Sequence, residues 1–191
     1  MKSKIKKILS KKNKSKLVCL TSYSKSIAKI LDKYCDIILV GDSMANALYG
    51  QNNTHKMTVN DMIKHSISVK KGVKKSLLVV DMPKGSYSTF KKAFKNAKLI
   101  KRKTNCDAIK LENSKKNFEI IKFLVNKGIP VMGHIGFTPQ FKNKFRLEGK
   151  TEEEIKRLLK EAKSIENAGA FSIVLECVTL KAAKLITNEL S

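Results

Sequence analysis

Apolar residues in this chain gather in short β-branched runs that each stop at a polar group. The clearest is Asp36-Ile37-Ile38-Leu39-Val40-Gly41-Asp42-Ser43, with no alternating polar face, which reads as a strand buried on both sides. The same pattern recurs in Leu77-Leu78-Val79-Val80-Asp81, Ala108-Ile109-Lys110-Leu111-Glu112, Pro130-Val131-Met132-Gly133-His134 and Ser172-Ile173-Val174-Leu175-Glu176. Each of the five runs delivers an ionisable residue at its carboxyl-terminal end, where parallel α/β enzymes place their chemistry.

Between these runs the apolar period changes to that of helices. Residues 17–21 read as a first strand, followed by a helix over 24–33 with Ile27, Ile30 and Leu31 as its apolar positions and Ser24 or Ser26 as its cap. A long loop over 44–57 leads to a helix capped by Thr58 or Asn60, with Met62, Ile63, Ile67 and Val69 as its apolar positions. Helices over 89–103 (Phe90, Phe94, Ala97, Ile100) and around Phe118, Ile121, Leu124 and Val125 follow, the latter stopped by Lys127-Gly128. After a strand over 129–135 and a long basic loop over 136–150, Thr151-Glu152-Glu153-Glu154 reads as a capping box. The helix it opens has Ile155, Leu158, Leu159, Ala162 and Ile165 as its stripe, and a last helix begins at Leu180. The count is six βα units, right-handed by the usual crossover rule. A (β/α)8 barrel needs about 250 residues and two more units. The pattern therefore predicts either an open six-stranded sheet or three-quarters of a barrel.

Composition narrows this little. At 191 residues, 42% hydrophobic, with three prolines, nine glycines and no low-complexity tract, the chain reads as one domain over 1–191. A formal charge of +24 invites a nucleic-acid reading, but the lysines are spread over nearly every helix, there is no Trp, and no nucleic-acid-binding motif is present. A solvated basic surface, with no nucleic acid as partner, is the expectation. The densest basic run, 2–16, places Ile5, Ile8 and Leu9 at near-helical spacing, so a basic helix at about 3–12 packed on the body is expected rather than a presequence. No run of about 18 apolar residues exists, so no membrane span is expected. Cys19, Cys35, Cys106 and Cys177 show no CxxC pairing and read as buried free thiols of a cytoplasmic protein.

The strand ends supply the candidate chemistry. Asp42, Asp81 and Glu112 have metal-ligand character, and Lys110 lies two residues before Glu112, so on an extended strand both point the same way. A Lys and a Glu buried together must be paired or bound to ligand or metal. An all-oxygen set suits Mg2+, which keeps several waters, whereas zinc would call for thiolates or several histidines. Such an ion would polarise a chelating 2-oxo acid, a neighbouring ammonium would neutralise its carboxylate, and Glu176 would be free to act as a base if burial raised its pKa. Each strand-end acid taken singly could instead cap the helix that follows.

These residues carry a resemblance. Val40-Gly41-Asp42-Ser43, Asp81-Met82-Pro83 with Ser86-Tyr87, Ile109-Lys110-Leu111-Glu112, Gly133-His134-Ile135-Gly136-Phe137-Thr138-Pro139-Gln140 and Leu175-Glu176-Cys177-Val178 stand in the order and spacing of the ketopantoate (3-methyl-2-oxobutanoate) hydroxymethyltransferases of pantothenate biosynthesis. The likeness covers nearly all of 15–190. It implies an α/β fold of the TIM (β/α)8-barrel type, of which this chain would hold about six βα units, an incomplete barrel lacking its C-terminal part. It also implies Mg2+-dependent transfer of a one-carbon unit from 5,10-methylenetetrahydrofolate to 3-methyl-2-oxobutanoate, giving 2-dehydropantoate. By motif position, Asp42 and Asp81 would hold the metal, with Glu112 in its shell. Ser43 and Lys110, with Asp42 and Asp81, would grip the oxo acid, Glu176 would take its C3 proton, and His134 would line the pocket. Partners would be the small 2-oxo acid and the folate, in a cytoplasmic homo-oligomer. The chain departs from the family pattern at Lys84, usually aromatic, at Asn113-Ser114, usually a Gly pair, at Ala45, usually Gly, and over 54–58, which lacks the family's Pro. The competing expectations are another Mg2+-dependent 2-oxo acid barrel of the phosphoenolpyruvate mutase or isocitrate lyase type, and a noncatalytic fragment.

Overall fold

The computed structural model describes residues 3–114, 117–142 and 144–191. They form two compact units, Met1–Lys110 and Leu111–Ser191, the division falling inside one strand.

In the first unit, helix α1 (Ser3–Leu9) buries Ile5 and Ile8, and strand β1 (Cys19–Thr21) follows. Next come α2 (Lys25–Leu31), β2 (Ile37–Val40), the short α3 (Met44–Ala47), α4 (Val59–Lys70), β3 (Leu77–Asp81), α5 (Phe90–Thr104) and the first residues of β4 (Ala108–Glu112). The strands are parallel and neighbours in sequence are neighbours in the sheet, in the register Cys19 to Ile37, Ile37 to Leu77 and Asp81 to Lys110. Every residue of β3 and β4 is buried, including Asp81, Lys110 and Glu112. Helix α4 packs on β2 and β3 and touches α2 and α5. Its start is a full capping box: Thr58 accepts from Asp61 N–H, and the Asp61 carboxylate accepts from Thr58 N–H. Asp32, at the end of α2, accepts from the N–H groups of Lys74, Lys75 and Ser76 and so fixes the entry to β3.

The second unit holds the end of β4, then α6 (Asn117–Asn126), β5 (Val131–Gly136), α7 (Glu152–Asn167), β6 (Ser172–Glu176) and α8 (Leu180–Glu189). β5 and β6 are parallel, with His134 opposite Val174 and Gly136 opposite Glu176. α7 covers both strands through Ile155, Leu158, Ala162 and Ile165 and contacts α6 and α8. Gly136 is required here. At φ +90 its backbone passes the carbonyl of Glu176 so closely that an added Cβ would lie 2.2 Å from that oxygen.

Several expectations change. Strand β1 begins at Cys19 rather than residue 17, and its three residues are exposed, so Cys19 is an exposed thiol; Cys35 and Cys106 are buried and Cys177 is half-buried. Ile27 and Ile30 point outward on α2, where only Ala28 is buried, because this helix lies against α4 on its small-residue side. The 44–57 loop starts with a helical turn, α3. On α5 the buried stripe is Ala93, Ala97, Ile100 and Thr104, which leaves Phe90 exposed. Strand β6 is half-buried throughout. At α7 only half of the capping box forms: Thr151 accepts from Glu154 N–H, while the Glu154 carboxylate turns back to the N–H groups of Gly149 and Lys150. Among the described residues no helix is long and apolar enough to cross a membrane.

Candidate active site

In the first unit the site is built at the carboxyl ends of β2, β3 and β4. Asp81 ends β3 with its side chain 3% exposed. Its Oδ2 lies 3.0 Å from Lys110 Nζ and accepts from the N–H of Asp42 at 3.2 Å. Its Oδ1 is buried with no hydrogen-bond partner among the described residues. Burial pushes the Asp81 carboxyl up to about 7, with the nearby Asp42 carboxylate adding to the rise and the Lys110 ammonium opposing it. Lys110 is thus paired across strands with Asp81, which answers the requirement that a buried ammonium have a partner. Asp42 is itself buried, and Ser43, one residue on, stands at the N-cap position of α3. Its hydroxyl makes no capping bond; it lies 2.9 Å from the Tyr23 hydroxyl instead. Gly41 makes room for it, since a Cβ there would sit 2.8 Å from Ser43 Oγ.

The second unit carries a carboxylate–imidazole–carboxylate row. Glu112, buried at the end of β4, accepts from the N–H of Gln140 at 2.9 Å through Oε2, and its own carbonyl accepts from the Asn117 amide. His134 on β5 is buried between two acids, with Nδ1 3.7 Å from Glu112 Oε1 and Nε2 3.1 Å from Glu176 Oε2. The Glu176 side chain is 38% exposed, so the burial expected of this base is not what distinguishes it; its contact with His134 and its access to solvent are. Its backbone is fixed from both sides. The Glu176 carbonyl accepts from Phe137 N–H, and Cys177 follows at φ +50, a left-handed conformation that costs a non-glycine residue strain.

The structure therefore brings Asp42, Ser43, Asp81 and Lys110 together in one unit, and Glu112, His134 and Glu176 in the other. Among the described residues no group of three or more His, Cys, Asp or Glu forms a ready-made metal cage. Four residues were given no role by the sequence reading. Gln140 acts through a backbone N–H, which no side-chain type signals. Tyr23 and His65 act through partners about 20 and 42 positions away. Glu148, in the loop read only as basic, is a buried carboxylate that gathers Lys142, Arg146 and Arg157.

The chain is 53% identical over 188 residues to the 3-methyl-2-oxobutanoate hydroxymethyltransferase of Pelagibacter ubique (strain HTCC1062), an alignment covering 98% of this chain and 73% of that protein. It is 45% identical to the enzyme of the same name from Anaplasma marginale (strain Florida), covering 96% of this chain and 67% of that one. In fold it is similar to 2,3-dimethylmalate lyase, a member of the phosphoenolpyruvate mutase/isocitrate lyase superfamily, with TM-score 0.69 and 17% identity over 99% of this chain and 67% of that one. It is likewise similar to phosphonopyruvate hydrolase in complex with oxalate and Mg2+, with TM-score 0.70 and 11% identity over 98% and 69% of the two chains. At such identities the structural likeness speaks for the fold alone: the α/β TIM-barrel class, with six βα units in this chain. The sequence identity goes further, and residues 2–191 match the sequence profile of ketopantoate hydroxymethyltransferase. With its strand-end motifs in place over nearly its whole length, the chain belongs to the ketopantoate hydroxymethyltransferase family.

Proposed function

We propose that this chain carries the family's reaction, the transfer of a one-carbon unit from 5,10-methylenetetrahydrofolate to 3-methyl-2-oxobutanoate to give 2-dehydropantoate. The observation that carries the reading is Asp81: a buried carboxylate at a strand end with one oxygen engaged by Lys110 and Asp42 and the other without a hydrogen-bond partner among the described residues. An orphaned buried oxygen is costly unless a ligand meets it. Oxygen donors from one or two carboxylates, completed by water and substrate, are what Mg2+ takes. The first unit's residues fit the ion: Asp42 and Asp81 would hold it, and the family motif would put Glu112 in its shell. When bound, the ion supplies Lewis acidity toward the 2-oxo group.

The chain's own residues would do the rest. Lys110, already a buried cation, and Ser43, with a hydroxyl not spent on capping, bind the oxo acid's carboxylate and keto oxygens. Glu176 Oε2 takes the proton from C3, and His134, whose Nε2 lies 3.1 Å from that oxygen, lines the pocket beside it. The C3 carbon, as the enolate, forms a bond to the folate's methylene carbon; the methylene's bonds to the folate nitrogens break, water supplies the hydroxyl oxygen, and tetrahydrofolate leaves. The basic surface favours approach of both anionic substrates. The two buried free thiols, Cys35 and Cys106, support a reducing, cytoplasmic setting. The exposed Val18, Leu20, Ile27, Ile30 and Tyr34 of the first unit support self-association into a homo-oligomer, which light scattering reads directly.

The test isolates the proton step. In D2O, with Mg2+ and no folate, the protein should exchange the C3 hydrogen of 3-methyl-2-oxobutanoate, and Glu176→Gln should abolish the exchange. Exchange at the wild-type rate in that variant overturns the assignment of the base. The identity to hydroxymethyltransferases, several times that to the lyase and hydrolase neighbours, is why the mutase/lyase chemistry is not the reading adopted.

A further inference from the structure

The first unit holds a hydrogen-bonded chain that the proposed chemistry does not use. The Tyr49 hydroxyl lies 2.6 Å from His65 Nε2, and the two rings meet edge to face at 5.9 Å. On the other side of the imidazole, Nδ1 lies 2.9 Å from the carbonyl oxygen of Tyr23. The hydroxyl of that same Tyr23 lies 2.9 Å from Ser43 Oγ. The chain thus runs from the 44–57 loop through α4 to the segment after β1, and ends on a serine beside Asp42.

The chemistry of the partners fixes its direction at the imidazole. A carbonyl oxygen only accepts, so His65 Nδ1 must carry a proton. In the neutral ring Nε2 is then a lone pair, and the Tyr49 hydroxyl must donate to it. The chain ends on the hydroxyl of Ser43, whose place at an N-cap would normally spend it on the helix, yet it makes no such bond and meets Tyr23 instead. Among the described residues its hydroxyl meets that of Tyr23, whose backbone carbonyl is held by His65.

We propose that His65 and Tyr23 are positioning residues for Ser43: His65, locked as its Nδ1–H tautomer by Tyr49, fixes the Tyr23 main chain, and the Tyr23 hydroxyl holds Ser43 Oγ in the rotamer that meets the oxo acid. The inference rests on the reading that Ser43 binds that substrate. Loss of Tyr23's hydroxyl removes one hydrogen bond from the row, so Tyr23→Phe should weaken binding about 5–10-fold. His65→Asn, whose amide nitrogen reproduces the Nδ1 donor, should stay within about 3-fold of wild type, whereas His65→Gln, which reaches only the Nε2 position, should behave like Tyr23→Phe.

The experiment has two arms. In the first, ring-nitrogen NMR of the intact protein, at a pH where the imidazole is neutral, should show His65 as the Nδ1–H tautomer. The Nε2–H tautomer overturns the proposal whatever the protein catalyses. In the second, 3-methyl-2-oxobutanoate is titrated with Mg2+ into wild type, Ser43→Ala, Tyr23→Phe, the two His65 variants and the Ser43→Ala/Tyr23→Phe double variant. The expected result is that the double variant binds no more weakly than Ser43→Ala alone, since Tyr23 acts through Ser43. If Ser43→Ala weakens binding and Tyr23→Phe does not, the positioning chain is wrong while the substrate reading stands. If Ser43→Ala binds as wild type does, or wild type does not bind, the substrate reading itself fails and the inference falls with it.

Discussion

Asp81 and Glu148 are both almost wholly buried, with side chains 3% and 2% exposed, and yet their acidities move in opposite directions. Asp81 has one ammonium, Lys110, itself 6% exposed, and a second carboxylate nearby; burial wins and the carboxyl rises from its ordinary 3.8 to about 7. Glu148 also meets a burial penalty, but hydrogen bonds from Lys142, Arg146 and Arg157 overcome it and bring the carboxyl down from 4.5 to about 2. Those three cations are a third to a half exposed, so the cluster keeps contact with water. Glu148 is saturated. It closes the 136–150 loop onto the turn after β6, where its N–H donates to the Cys177 carbonyl and its carbonyl accepts from Thr179 N–H. Asp81 is left with an oxygen that has no hydrogen-bond partner among the described residues. A carboxylate with surplus cations is a fastener; one with a deficit is a place for a ligand.

The two groups also give stability opposite slopes with pH. Asp81 binds protons more tightly folded than unfolded, so its contribution is complete below about 3.8 and is lost as pH rises through about 7. Glu148 contributes fully above about 4.5 and loses its contribution as pH falls toward about 2.

The comparison can be broken in order of effect. Asp81→Asn should lower turnover by about 10³-fold, because it removes a carboxylate proposed to hold the ion that polarises the 2-oxo group and offsets the negative charge developing on the substrate, whereas Glu148→Gln should change turnover only as far as it changes the folded fraction. Steady-state kinetics at matched folded fraction decides, and equal losses would erase the distinction. In denaturant titrations Glu148→Gln should cost about 2–3 kcal/mol at neutral pH, since three cations are left facing a neutral amide with partial screening by water. That cost should shrink toward pH 3, where wild type begins to lose the same interaction. Lys110→Met should be more damaging near pH 8 than near pH 5.5, by about 1–2 kcal/mol, as the ammonium matters only while Asp81 is ionised. A flat difference across that range contradicts the raised acidity. Lys181→Ala, which removes the exposed ion pair with Glu152, should move stability by less than about 0.5 kcal/mol.

What was legible in the sequence follows from what is local. The six strands announce themselves as apolar runs, and Thr58 and Thr151 mark their helices, because capping is settled within four residues. The strand-end acids were legible for the same reason: a run that ends in Asp or Glu needs no partner to be noticed. Ile27 and Ile30 misled because period alone does not say how much of a helical stripe the body covers. Glu148 stayed hidden in a basic loop, since the feature that matters is three cations folding back on one acid. The link from His65 to Ser43 was equally invisible, running through a main-chain carbonyl and a tyrosine from another part of the chain.

The central claim is that Asp81 Oδ1, which has no hydrogen-bond partner among the described residues, is the oxygen that meets the ion on which the oxo acid is chelated. Calorimetric titration of 3-methyl-2-oxobutanoate into the protein with and without Mg2+, for wild type and Asp81→Asn, tests it most directly. The account predicts binding by wild type that requires Mg2+ and is lost in the variant; equal binding by both proteins, or binding indifferent to Mg2+, would contradict it.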